Sequence, residues 1–145
     1  MSAIPESGHQ SDLPAGVYFP GCEIAVNGWF AGDRQSGSGQ YTDHLLAHLA
    51  RVAPDARLSL LLPKGRELAP EQTGQWVGVD PVYLAMPALP RNLAKLWWEQ
   101  VTVPRAAARL RADVLWVPYW AAPWWQPVPT VVTVHDLIPL LLPAY

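Results

Sequence analysis

The sequence predicts an α/β protein with a Rossmann-like, doubly wound parallel sheet. Three observations support this fold class. Short apolar segments alternate along the chain with segments of helical periodicity, which is typical of parallel strands joined by crossover helices. The chain has 145 residues, the size of one ordinary domain. Half of the residues are hydrophobic and 15% are charged, so the composition is that of a folded chain with a sizeable core.

The overall charge and the cysteine content limit which kinds of binding site the composition supports. A net charge of −2 gives no electrostatic argument for binding to nucleic acid or to an anionic membrane. The single cysteine, Cys22, excludes an intrachain disulfide and a cysteine zinc cluster. Residues 1–22 begin with a polar stretch that lacks the basic and apolar blocks of a signal peptide, and we interpret them as a flexible tail. Residues 23–145 then form the domain.

The first half of the domain predicts two strands with a helix between them. A strand over Glu23–Phe30 is followed by a loop rich in glycine and serine. A helix is predicted over Gln40–Val52, and Pro54 ends it. The next strand covers Arg57–Leu62. The helix is predicted because apolar residues recur at steps of three and four, namely at Tyr41, Leu45, Leu46, Leu49 and Val52.

The second half predicts three more strands and two helices. A third strand covers Val79–Met86, a helix covers Arg91–Val103, and Pro104 begins a second helix that continues to Arg111. Strands over Asp113–Val117 and Pro129–Val134 follow. No residue from 114 to 134 carries a formal charge, but the prolines within this stretch argue against one membrane-spanning helix. The apolar contacts of the first of these helices are predicted at Leu93, Leu96, Trp97 and Val101.

Eight tryptophans are many for a chain of this length. The favoured interpretation is packing in the core and at interfaces. The alternative is an aromatic cleft, since sugar-binding sites also use aromatic faces. The residues that would line such a cleft are Trp116, Tyr119, Trp120, Trp124 and Trp125.

The glycine-rich loop before the first helix is the first candidate binding segment. Gly37 and Gly39 can adopt positive φ and allow a ligand to approach the backbone closely. The N–H groups of the first helical turn then favour an anion such as a diphosphate. The segment is neither a Gly-x-Gly-x-x-Gly motif nor a Walker motif, so a flexible connection from strand to helix remains the alternative.

His135 and Asp136 follow the last predicted strand and form the second candidate segment. Ligands of doubly wound sheets bind at the carboxyl ends of strands, so a polar pair is well placed there. Histidine can donate a hydrogen bond to a sugar hydroxyl, and aspartate can accept one or take a proton. A turn or a cap is the alternative. A metal site is not expected, because a third ligand is missing.

Two further groups of side chains carry weaker signals. His44 and His48 lie one turn apart on the first predicted helix, and a solvated helix face is favoured over a metal site. The stretch from Leu96 to Pro104, which contains Trp97-Trp98-Glu99, is interpreted as a helix that packs its tryptophans on the sheet, and Glu99 carries no distinct signal.

The order of these segments resembles the amino-terminal domain of family 4 glycosyltransferases. The resemblance covers roughly residues 23–145. Its most specific parts are Gly37-Ser38-Gly39-Gln40-Tyr41-Thr42 and the strand end His135-Asp136-Leu137-Ile138-Pro139. The sequence departs from the family at Trp116, where many relatives have histidine.

The resemblance implies a GT-B enzyme, in which two Rossmann-like domains face each other across a cleft. It implies a retaining transferase of the hexosyltransferase type, with a nucleotide-sugar as co-substrate and with no metal or other cofactor. His135 would face the transferred sugar, and Asp136 would hold the strand end or contact a hydroxyl. The residues implied to approach the donor diphosphate are Gly37, Ser38, Gly39, Gln40 and Tyr41.

The resemblance also implies that the groups holding the nucleotide lie in a carboxyl-terminal domain, and no segment of this chain corresponds to it. We therefore expect a truncated amino-terminal domain that is inactive alone, with a saccharide or a lipid-linked acceptor in the intact enzyme. The alternative is a non-catalytic half-domain or binding module that docks on a partner chain. A cytoplasmic location is expected, with peripheral contact at the inner membrane face left open.

Overall fold

The computed structural model describes residues 21–66, 68–69, 74, 76–120 and 122–136. Strands and helices alternate through this part of the chain, as the sequence predicts. The elements are β1 (Glu23–Asn27), α1 (Gly37–Val52), β2 (Arg57–Pro63), β3 (Val79–Leu84), α2 (Arg91–Trp97), a π-helical segment (Trp98–Thr102), α3 (Val103–Leu110), β4 (Val114–Val117) and β5 (Thr130–Val132).

The strands form one five-stranded sheet in the order β3-β2-β1-β4-β5, and every pair is parallel. This confirms the predicted Rossmann-like α/β class. From β1 the chain runs outward to β2 and β3, and then returns to place β4 on the other side of β1. The direction of strand addition therefore reverses between β1 and β4. In doubly wound sheets, ligands bind in the crevice beyond the carboxyl ends of the strands at such a point.

Successive residues of β1 face opposite sides of the sheet, and each side has its own core. Ala25 faces the side covered by Trp98 and α3, whereas Val26 faces the side covered by α1, where Leu46 is fully buried. β1 ends at Asn27, three residues before the predicted end, because the chain turns at Gly28. The Gly28 N–H still donates to the Leu61 carbonyl at 2.9 Å.

The first helix begins at Gly37, earlier than predicted, because the Ser36 hydroxyl caps it. Leu46 is its most deeply buried apolar side chain, as the periodicity indicates, but Tyr41 and Val52 are exposed. The tryptophan cluster also divides between two environments. Trp116 and Tyr119 are buried, whereas three tryptophans further along the chain are exposed, namely Trp120, Trp124 and Trp125.

The prediction of which side chains of the Arg91–Val103 helix face the core is wrong. Leu93, Leu96 and Trp97 are exposed, and the buried side chains are Trp98 and Glu99. The predicted break before the second helix is also absent. A π-helical turn connects α2 directly to α3, and the Val103 N–H donates to the Trp98 carbonyl.

Among the described residues, no helix is both long enough and apolar enough to cross a bilayer. The interpretation of residues 114–134 as two strands with a loop between them is confirmed by β4 and β5.

Candidate functional site

The start of α1 and the chain after β5 meet at the carboxyl edge of the sheet. The Tyr41 and His135 rings contact each other in a T-shaped arrangement, with the ring centroids 4.8 Å apart and the planes at 84°. Tyr41 also packs against Trp116 of β4, at 6.3 Å between centroids. The fold therefore brings together the two segments that the sequence singles out, although nearly a hundred residues separate them along the chain.

His135 is held by a hydrogen bond to the backbone. Its Nε2 lies 2.9 Å from the Pro118 carbonyl oxygen, and a carbonyl can only accept, so Nε2 carries the proton. In the neutral ring, Nδ1 is then an acceptor. The expectation that His135 donates to a sugar hydroxyl therefore changes, because the single N–H of the neutral ring is already engaged. The neutral ring can instead accept a hydrogen bond from a hydroxyl group at Nδ1.

Asp136 lies exposed beside His135 at the same edge of the sheet. The remainder of the strand-end motif, residues 137–139, lies outside the described residues, as do residues 1–20 of the predicted tail. Trp116, at the position where the family resemblance implies histidine, is buried, and its Nε1–H donates to the Thr133 hydroxyl at 3.2 Å. Trp116 therefore supports the strand end that leads to His135.

The glycine loop does not have the predicted backbone conformation. Neither Gly37 nor Gly39 adopts a positive φ, since both lie in the first turn of α1. Gly39 is buried, and a Cβ atom there would lie 2.0 Å from the Asp33 carbonyl oxygen. Glycine is required at this position because the preceding loop packs directly on the helix. At Gly37, a Cβ atom would meet nothing within 4 Å, so the backbone is open to approach.

The first turn of α1 still presents backbone donors. The Gly39 N–H is taken by the Ser36 hydroxyl oxygen at 3.1 Å. For the N–H groups of Gly37 and Ser38, no hydrogen bond is found within the described part of the chain. Gln40 is turned away from this position, because its side-chain amide donates to the Arg34 carbonyl at 3.0 Å.

Polar contacts fix the loop between β1 and α1. The Gly32 N–H donates to Asp43 Oδ1 at 2.8 Å, and the Arg66 guanidinium donates to the Trp29 carbonyl. Burial raises the pKa of the Asp43 carboxyl group, while the Gly32 N–H and nearby cationic groups oppose the rise. Burial likewise lowers the pKa of Arg66. Both charged groups therefore position the loop, although their partial burial disfavours the charged forms.

The chain matches a known protein family over most of its length. The model of Glycosyltransferase Family 4 matches residues 35–145, which is most of the chain. The chain belongs to glycosyltransferase family 4. The match contains both segments of the candidate site, from the cap of α1 to His135 and Asp136. Comparison with curated proteins and with solved structures gives no match.

This family 4 domain also contains a buried polar cluster that was not predicted from the sequence. Asn27, at the end of β1, accepts a hydrogen bond from Trp98 Nε1–H at 2.8 Å and another from the Trp29 N–H at 3.2 Å. Glu99 is buried beside this pair and forms an ion pair with Lys95. Burial raises the pKa of the Tyr119 phenol, and the negative charge of Glu99 adds to the rise.

The cluster lies at the reversal point of the sheet, between the ends of β1 and β4. A polar residue ending the buried strand at Asn27 was the one signal for it in the sequence. Glu99 gave no signal, because an acidic residue on a helix is usually solvated and its partner Lys95 lies one turn away on the same helix.

The paired histidines of α1 are not deeply buried, and His48 Nδ1 lies 2.7 Å from the His44 carbonyl oxygen. Among the side chains that the structure describes, no group of three or more histidine, cysteine, aspartate or glutamate residues could hold a metal ion.

Proposed function

We propose that this chain is the acceptor-side, amino-terminal half of a GT-B glycosyltransferase. The intact enzyme would move a sugar, of hexosyltransferase type, from a nucleotide-sugar donor to a saccharide or lipid-linked acceptor with retention of configuration. The observation that carries the proposal is the contact between Tyr41 at the start of α1 and His135 after β5. It brings an anion-favouring helix terminus and a hydroxyl-binding imidazole to one edge of a sheet in a family 4 domain.

The first turn of α1 is proposed to receive the donor diphosphate. The positive end of the helix dipole and the N–H groups of Gly37 and Ser38 favour an anion at this position. The open space around the Gly37 Cα allows phosphate oxygens to approach the backbone. Gly39 has a structural role, because the absence of a side chain there lets the loop between β1 and α1 pack against the first turn of the helix.

His135 is proposed to bind a hydroxyl of the transferred sugar through Nδ1. The Pro118 carbonyl fixes the proton on Nε2, and the T-shaped contact with the Tyr41 ring restricts the plane of the imidazole. The ring is therefore oriented before the sugar arrives, and the benefit of such preorganisation appears in the rate of the chemical step. Asp136 is adjacent and exposed, and we propose that it contacts a second hydroxyl or supports the strand end.

Charge that develops on the departing diphosphate needs fixed positive groups, and electrostatic stabilisation of this kind often contributes more to catalysis than any other effect. The proposed diphosphate site in this chain consists of backbone N–H groups at a helix end. We propose that a second domain supplies the cationic groups and holds the nucleotide. The 145-residue chain alone is then expected to be inactive.

The test is transfer activity of the intact enzyme with His135→Ala, compared with His44→Ala as the control. His44 is an exposed histidine of α1, and within the described part of the chain no hydrogen bond or ring contact joins its imidazole to Tyr41 or His135. We expect His135→Ala to lower kcat by about a hundredfold, because the sugar loses an orienting contact, with an unchanged melting temperature. Equal turnover in the two variants would remove His135 from the site.

The alternative of a non-catalytic module that docks on a partner chain is addressed by the same experiment. If the protein is such a module, the intact parent protein would show no transfer with any nucleotide-sugar donor.

A further inference from the structure

An apolar groove lies on the outer side of α2, away from the candidate site. Its volume is about 710 Å³. Among the described residues, those that line it are apolar except for one amide side chain. They are Leu89, Leu93, Leu96, Trp97, Gln100, Val101, Trp124 and Trp125.

The groove is a fixed feature of the surface, because the loop carrying the two tryptophans is tied to the helix. The Gln100 side chain accepts a hydrogen bond from the Trp124 N–H at 2.9 Å, and its amide lies 3.5 Å from the Ala122 carbonyl oxygen. The loop backbone is therefore held near the helical surface while the indoles project outward. Trp124 is 97% exposed and Trp125 is 55% exposed. Large apolar side chains gathered in this way mark an interaction surface.

Charge in the chain is distributed unevenly around this groove. Residues 91–111, which form the helical region beside it, contain five basic side chains and one acidic side chain, a net charge of +4. The rest of the chain contains five basic and eleven acidic side chains, a net charge of −6. The overall charge of −2 therefore hides a strongly basic region.

The single acidic residue of this region does not offset the basic surface. Glu99 is buried and paired with Lys95, whereas Arg91, Arg105 and Arg109 are exposed. Arg105 and Arg109 line a second cavity that shares Trp97 and Val101 with the groove, so the basic side chains border the apolar surface directly.

We propose that this apolar and basic face docks on the surface of an anionic lipid bilayer. Tryptophan is favoured at the level of the lipid headgroups, and the leucines of α2 extend the apolar area toward the acyl chains. The arginines lie where they can pair with lipid phosphates. Outside residues 91–111, the described part of the chain contains seven acidic and five basic side chains, so an anionic membrane attracts this face more strongly than the rest of the described surface.

Charge also argues against a second copy of this chain as the occupant of the groove. A second copy of this chain would meet the same patch across a two-fold axis, which places basic side chains opposite basic side chains. The proposal rests on the groove and its charges alone, so it is independent of the proposed transferase activity.

The test is co-sedimentation of the purified chain with phosphatidylcholine vesicles, with or without phosphatidylglycerol. We expect binding to the anionic vesicles, weak binding to the neutral ones, and a loss of binding as salt is added. Trp124→Ser with Trp125→Ser should abolish most of the binding. The matched control replaces two exposed apolar residues outside the groove, Val52→Ser with Val77→Ser, and should bind as the parent does.

The basic side chains are tested separately. Arg105→Gln with Arg109→Gln should weaken binding by about fivefold for each arginine removed. Arg51→Gln with Arg57→Gln removes the same charge from exposed positions outside residues 91–111 and should have a small effect. Thermal unfolding of every variant shows whether the fold is retained.

Three results would overturn the proposal. The first is no sedimentation with either vesicle. The second is binding that the tryptophan substitutions leave unchanged in folded protein. The third is a dimer of the parent chain in gel filtration that the same substitutions convert to a monomer, which would assign the groove to a second copy.

Discussion

Replacing Gly39 by alanine tests whether the glycine motif serves packing. The added Cβ atom would lie 2.0 Å from the Asp33 carbonyl oxygen and 2.8 Å from the Phe30 carbonyl oxygen. Both neighbours are backbone atoms, so no side-chain rotation can relieve the overlap. The loop must move away from α1 by about an ångström, and overpacking of this kind destabilises proteins by about 1–3 kcal/mol. The loss exceeds the gain in helix propensity from Gly to Ala, which is about 1 kcal/mol at most.

Gly37→Ala is the matched control, because it adds the same methyl group two residues earlier in the same helical turn. Nothing lies within 4 Å of that Cβ position, so the free energy of unfolding should stay unchanged or rise slightly. Urea denaturation of the parent and both variants measures the difference. If Gly39→Ala unfolded at the same urea concentration as Gly37→Ala, the argument that the loop needs glycine for close packing would be refuted.

Two further predictions concern buried charges. Lys95→Met leaves Glu99 buried without its ion-pair partner and should lower the free energy of unfolding by about 3 kcal/mol, a value at the lower end for buried pairs because Lys95 is partly exposed. The double variant Lys95→Met with Glu99→Gln should recover part of this loss. If the single and the double variant lost equal stability, the broken ion pair would not be the cause. The pKa of Asp43 is raised in the folded state, so ionising this carboxyl group costs more free energy in the folded protein than in the unfolded chain. The resulting loss of stability is absent at low pH and complete once the pH exceeds the raised pKa. Asp43→Asn should therefore gain stability relative to the parent as pH rises from about 4 toward neutral, and a difference that stays constant in urea melts across this range would contradict the assignment.

The strands and the first helix were predictable because their patterns have simple physical causes. β2 is buried over Leu58–Leu62, as expected for a strand of a parallel sheet covered on both faces, and such a run is largely apolar. The position of the candidate site was also predictable. The carboxyl ends of parallel strands share one edge, so a polar pair after the last strand and a helix start after the first strand were expected at the same edge of the sheet. Their direct contact was not predictable, because it depends on the strand order that places β4 between β1 and β5.

The conformation of the glycine motif was not predictable from the residue types. Glycine permits positive φ, but it also permits close contact between backbone segments, and the sequence does not distinguish these uses. At Gly39 the second use applies, since the Asp33 carbonyl occupies the place of a side chain. The proposed anion site moves accordingly to the N–H groups of Gly37 and Ser38.

The predicted face of the second helical region was wrong because its apolar side chains were assumed to face the core. Leu93, Leu96 and Trp97 are exposed in α2, ahead of the π-helical turn over Trp98–Thr102. A period of 3.6 residues also could not predict this turn, which adds one residue and rotates everything after it by about 100°. Pro104 favours this turn. It has no N–H to donate to the carbonyl four residues earlier, and its ring would press on that carbonyl in a regular α-helix.

The same π-helical turn lets residues at its start and after its end face the core together. Trp98 and Glu99 at its start are buried, and so are Val103, Ala106 and Ala107 after it. Regular α-helical spacing from Glu99 leads to Val103 and Ala106, whereas the same spacing from Trp98 leads to Thr102 and Arg105. The hydrogen bond from the Val103 N–H to the Trp98 carbonyl, five residues back, lets Trp98 share the face of Val103, and Arg105 stays exposed beside Trp97 and Val101. The helical region therefore buries the polar cluster at the end of β1 and leaves exposed the basic and apolar face proposed to meet the bilayer.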